Sequence, residues 1–134
     1  MVLATLLVGA CGGSSDVKSE GKTHGGKDAF VTSLVAEDMI ADVTVDPAKV
    51  GGVELHVEFT PPGGSLQQVT SVVGNLIPSD SSLSTIILRF ERDGTNHFHF
   101  EVSIPTPGDW TLDFDAALED GTSALYTTPV TFAP

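Results

Sequence analysis

Apolar and polar residues alternate with a period of two along most of the chain. Val53-Glu54-Leu55-His56-Val57-Glu58-Phe59 alternates without a break, and so does Trp110-Thr111-Leu112-Asp113-Phe114-Asp115-Ala116. In Asn96-His97-Phe98-His99-Phe100-Glu101-Val102 the Phe and Val side chains fall on one face and His97, His99 and Glu101 on the other. Successive side chains of a strand point to opposite faces, so each segment has a dry side and a wet side. This is the pattern of an antiparallel sheet covered on one face.

Turn residues punctuate the alternation. Asp46-Pro47 and Gly51-Gly52 flank one connection, Pro61-Pro62-Gly63-Gly64 makes a second and Pro78-Ser79-Asp80 a third. Asp93-Gly94 is a tight hairpin signal, because both residues tolerate positive φ; Pro105-Thr106-Pro107-Gly108 and Glu119-Asp120-Gly121 complete the set. The segments left between them predict strands at 29–36, 40–46, 52–60, 69–77, 83–92, 95–104, 109–118 and 124–132. No amphipathic helix and no internal repeat is visible. Seven to eight short strands at this spacing predict an all-β, immunoglobulin-like antiparallel β-sandwich over residues 28–134, with Greek-key connections. Trp110, at the start of the cleanest apolar face, is expected in the core.

The first 27 residues follow another logic. Residues 1–10, MVLATLLVGA, hold an apolar run too short to span a bilayer as a helix and suited to the core of a signal peptide. Val8-Gly9-Ala10-Cys11 resembles the lipobox of bacterial lipoproteins: an aliphatic residue, two small ones, then cysteine. That resemblance implies diacylglycerol on Cys11 and cleavage before it. It also implies a lipid-anchored, extracytoplasmic domain held at the bacterial cell membrane. No Lys or Arg precedes Cys11, whereas signal peptides usually open with positive charge. Residues 11–27 continue with GGSSDVKSEGKTHGGK, whose five glycines and scarcity of apolar side chains suit a flexible tether, with His24 as a spacer.

Charge narrows the partners. The 134 residues carry 18 acidic and 6 basic side chains, a net charge of -12. From Asp28 onward only Lys49, Arg89 and Arg92 are basic. Such a field repels phosphate backbones, so no nucleic-acid partner is expected; it attracts cations or a basic surface, and it also favours solubility. With one cysteine, no internal disulfide can form. No nucleophile elbow, His-Glu-x-x-His pair, phosphate loop or dinucleotide fingerprint is present, so no catalytic residues are assigned and the chain is not expected to be an enzyme.

The candidate chemistry is histidine. His97 and His99 share the wet face of one strand, and His56 lies on the wet face of another, between Glu54 and Glu58. In immunoglobulin order these strands pair, bringing His56 near His99. Glu54, Glu58 and Glu101 would surround them, with Asp42, Thr44 and Asp46 on the next strand. Imidazoles among carboxylates suit Zn(II) or Cu(II). Met39 is the only methionine beyond the signal segment, so nothing supports Cu(I). A solvated sheet face with unliganded histidines would show the same alternation, and both readings stand at this point.

One longer pattern unites several of these pieces. Val43-Thr44-Val45-Asp46-Pro47-Ala48-Lys49-Val50-Gly51 is followed at once by the strand Val53–Val57. Later come His97-Phe98-His99-Phe100 and then Pro107-Gly108-Asp109-Trp110-Thr111-Leu112. Together they resemble the C-terminal extracytoplasmic, YtkA-like domain of bacterial copper-transport membrane proteins, over roughly residues 29–132. The resemblance implies an immunoglobulin-like sandwich beside copper-handling machinery, with an envelope or membrane-transport protein as partner. Gly52 or Val53 stands where that family has Asn, and the resemblance brings no metal-ligand set with it. Two functions follow as expectations: a lipid-anchored envelope interaction module associated with copper homeostasis, and a copper- or zinc-binding lipoprotein using His56, His97 and His99.

Overall fold

The computed structural model describes residues 26–61 and 67–134. The signal segment, Cys11, His24, nearly all of the tether and the Pro62-Gly63-Gly64 turn lie outside the described residues. Among the described residues no helix is long and apolar enough to cross a membrane.

Among the described residues the alternation resolves into nine strands: β1 (Phe30–Ala36), β2 (Met39–Asp46), β3 (Gly51–Thr60), β4 (Val69–Pro78), β5 (Ile86–Arg89), β6 (Glu91–Gly94), β7 (His97–Ile104), β8 (Gly108–Leu118) and β9 (Ser123–Phe132). They form two antiparallel sheets, β1-β2-β3-β7-β6 and β5-β4-β8-β9. Within these, β2-β3-β7-β6 and β4-β8-β9 reproduce the A-B-E-D and C-F-G orders of the immunoglobulin sandwich. β1 extends the first sheet beyond β2, and β5 extends the second beyond β4.

One face of each sheet supplies the core. From β2 and β3 come Ala41, Val43, Val45, Val53, Leu55, Val57 and Phe59, all buried. Trp110, Leu112, Phe114, Tyr126, Val130 and Phe132 meet them from β8 and β9. Trp110 is 2% exposed and packs edge-on against Phe132, which confirms it as a core residue. Phe114 and Tyr126 stack with ring centroids 4.9 Å apart. The Tyr126 hydroxyl donates to the Met39 carbonyl at 3.0 Å, tying the two sheets together, and burial pushes its ionisation up to about 12. Gly74 is required where β4 runs alongside β8, directly opposite Phe114. A Cβ there would come within 2.9 Å of the Phe114 Cβ and would meet the Asp113 carbonyl oxygen.

Two expectations need correction. The predicted strand at 83–92 is two strands in different sheets: β5 pairs with β4, whereas β6 pairs with β7. The chain changes sheets at Phe90, which is half-buried against Phe100 and Phe114. Residues Leu83–Thr85 belong to the preceding turn, where Asp80 accepts from the Ser82 amide at 2.9 Å. The second correction concerns the hairpin. Asp93 and Gly94 belong to β6, and the turn is Thr95-Asn96.

Asn96 explains that shift. It takes a left-handed φ of 55° and is nearly buried. Its Oδ1 accepts from the Val69 amide at 2.8 Å, and its Nδ2 donates to the Gln67 carbonyl at 3.2 Å. Side-chain amides tolerate left-handed backbone, and here the amide also satisfies the start of β4. Asn96→Ala should therefore destabilise the fold by about 3 kcal/mol, from a stranded buried amide plus backbone strain. Asn96→Gly should recover only the strain. Urea unfolding of the three proteins measures both shares.

Candidate metal centre

The outward face of the five-stranded sheet carries the histidines, and the β-ladder fixes their neighbours. In the β3–β7 register Glu54 faces Glu101, His56 faces His99 and Glu58 faces His97. On the other side of β3, Asp46, Thr44 and Asp42 face Glu54, His56 and Glu58. His56 and His99 thus meet as the sequence led us to expect. Among the described residues no outward strand position on this face is Lys or Arg; Arg92, opposite Phe98, projects from the other face of β6. Its guanidinium donates to the Val69 carbonyl and lies over the Phe98 ring, 5.6 Å from the centroid.

The edge strand β6 adds what the sequence reading missed. Glu91 faces His99, and the ladder shifts register between Arg92 and Gly94. A β-bulge of this kind sets two residues against one and re-aims a side chain. Here the extra residue is Asp93, opposite His97. Asp93 Oδ1 hydrogen-bonds His97 Nδ1, and its Oδ2 lies 3.1 Å from His99 Nδ1. The second contact is an ion pair without hydrogen-bond geometry, so His99 Nδ1 is buried beside a carboxylate but makes no hydrogen bond. His99 Nε2 is 3.9 Å from Glu91 Oε2.

His56 stands on the other side of the pair. Its ring centroid is 5.4 Å from that of His97 and 6.2 Å from that of His99. Its Nε2 lies 2.9 Å from Glu54 Oε1, while its Nδ1 is buried and unpartnered. One donor atom each from His56, Asp93 and His97 lie within 4.8 Å of one another. Around a zinc ion with Zn–N bonds of about 2.0–2.1 Å, tetrahedral neighbours stand about 3.4 Å apart, so modest side-chain rotation would close the set. Glu58 and Glu101 share the face, but neither makes an ion pair with these imidazoles among the described residues.

Asp93 reports the electrostatics. Partial burial works against its ionisation, but the hydrogen bond with His97 outweighs it, together with the positive charge that His97, His99 and His56 can carry. The carboxyl is held below its ordinary value of 3.8. The sequence held one clue to Asp93 and Glu91. A two-residue turn at Thr95-Asn96 sets Gly94 opposite His97 and brings Asp93 alongside; reading Asp93-Gly94 as the turn removed it.

The fold and this site together define an immunoglobulin-like sandwich with a histidine–aspartate cluster on one sheet. No protein-family model matches the chain, and no curated protein does.

A depressed folded-state value means that the Asp93 carboxylate stabilises the fold above the ordinary value. That contribution is lost as pH falls through the folded one. Asp93→Asn should therefore be less stable than the native protein at pH 5, with the gap closing as pH falls below the ordinary carboxyl value of 3.8 and the native carboxyl protonates. Denaturant titrations across this range check the sign; a gap independent of pH would contradict it.

Proposed function

We propose that this domain is a transition-metal-binding module of the bacterial envelope, holding Zn(II) or Cu(II) through His56, His97, His99 and Asp93. The observation that carries the reading is the buried, unpartnered Nδ1 of His56 beside a carboxylate, Asp93, that already contacts the Nδ1 atoms of His97 and His99. A buried polar atom without a hydrogen bond is costly, and a coordinated cation removes that cost. Neutral imidazole nitrogens and carboxylate oxygens are ligands for Zn(II) and Cu(II), whereas Cu(I) favours thiolate and thioether sulfur. The carboxylates around the site (Glu54, Glu58, Glu91 and Glu101) raise the local concentration of cations and lower the net charge of the loaded site.

The address rests on the lipobox at Cys11 and the glycine-rich segment after it. In this reading the lipid holds the domain at the outer side of a bacterial membrane, with the metal face free to meet an envelope or membrane-transport partner. The resemblance to YtkA-like domains favours copper. A docking role finds support on the opposite sheet, whose outer face exposes Val73, Ile87 and Leu125.

Calorimetric titration of the full chain carrying Cys11→Ser, which removes the competing thiol, tests the proposal. One equivalent of Zn(II) or Cu(II) should bind at micromolar concentration or tighter. His97→Ala combined with His99→Ala should weaken binding by at least about 100-fold, the upper end of what outer-shell changes alone cost. No binding by the folded parent, or equal binding by the double variant, would overturn the assignment.

A further inference from the structure

We infer that Glu54 is a positioning residue for this site: it holds His56 as the Nε2–H tautomer and so makes Nδ1 the atom that binds metal. The inference rests on the metal-binding reading above. A neutral imidazole has one N–H and one lone pair, on different nitrogens. Glu54 and His56 stand two residues apart on the same face of β3, and the Glu54 carboxylate makes an ion-pair contact with His56 Nε2 at 2.9 Å. An ionised carboxylate only accepts, so the proton belongs on Nε2 and the lone pair on Nδ1.

The other nitrogen is the one the structure leaves buried and unpartnered. The strand neighbours of His56 on this face are Thr44 and His99, with Glu54 and Glu58 before and after it along β3. None of them hydrogen-bonds to Nδ1. A lone pair in that position is what a cation requires. A carboxylate on the remote nitrogen is also how metal-binding histidines are commonly oriented and made more basic.

The sheet gives a second reason. Glu54 lies directly opposite Glu101, and like charges facing each other across a ladder are unfavourable. The pairing offers the sheet nothing in return, whereas the imidazole of His56 gives the Glu54 carboxylate a partner.

Long-range proton–nitrogen NMR of the histidine rings in the full-length Cys11→Ser chain tests this, first without metal and then with zinc. Without metal, His56 should show the Nε2–H pattern. With zinc, the Nδ1 resonance should move as the coordinated atom. Glu54→Ala should lose the tautomer preference and weaken zinc binding by about 10- to 100-fold, with the number of zinc ligands unchanged by X-ray absorption. Glu54→Gln keeps an acceptor oxygen and should recover part of both. Glu54 is exposed, so these variants should fold, and circular dichroism checks that they do.

An Nδ1–H pattern at His56 in the metal-free protein would overturn the inference, as would tautomer and affinity unmoved by Glu54→Ala. Loss of one oxygen ligand from zinc in Glu54→Ala would make Glu54 a ligand and overturn it too. An Nε2–H pattern in a protein that binds no zinc would sink the metal reading while leaving the tautomer assignment standing.

Discussion

The register between β3 and β7 governs what the outer face of this sandwich can do. It is set from inside. Val53, Leu55, Val57 and Phe59 on β3 point into the core, and Phe98, Val102 and Ile104 do the same from β7. Slipping either strand by a single residue would turn that strand's apolar set out into water. The core therefore forbids the slip, and in doing so it locks His56 across from His99 and Glu58 across from His97. The chemistry on the wet side is positioned by hydrophobic packing on the dry side.

The second determinant is the change of sheet at Phe90. Before it, Leu88 is buried beneath the four-stranded sheet; after it, the chain runs along β7 as an edge strand. Phe90 and Arg92 tie this edge down, Phe90 against Phe100 and Phe114, Arg92 onto the Val69 carbonyl. The bulge beside Arg92 then brings Asp93 to His97. A four-residue edge strand thus delivers the carboxylate that converts a row of histidines into a convergent cluster. The carboxylates on this face (Asp42, Asp46, Glu54, Glu58, Glu91 and Glu101) have no Lys or Arg among them at its described strand positions, so they draw cations toward a site that is already short of hydrogen-bond partners.

How much of this could be read from the sequence depended on the range of the information. Strict alternation in 53–59, 96–102 and 110–116 was sufficient to place the strands, the core face and Trp110, because one-sided burial enforces a period of two. The approach of His56 to His99 followed from the fold class, since immunoglobulin order pairs those two strands. Asp93 did not follow, for a local reason. Asp-Gly is a strong hairpin signal, and it was overridden by the Asn96 amide, which binds backbone groups 27 and 29 residues away in the chain. The division of 83–92 into two strands was equally hidden. No Gly, Pro, Asn or Asp interrupts that stretch, and only tertiary packing around Phe90 reveals where the chain leaves one sheet for the other. Glu58 and Glu101 show the converse: alternation put them on the right face, but being on the face did not bring them to the imidazoles.

Anomalous diffraction from crystals of the zinc-loaded protein, collected on both sides of the zinc absorption edge, is the most direct test. One strong anomalous peak is expected between β3, β7 and β6, bonded to His56, His97, His99 and Asp93. A peak on the acidic row formed by Asp46, Glu54 and Glu101 and away from the imidazoles would contradict it, as would fully loaded crystals with no peak on this sheet face.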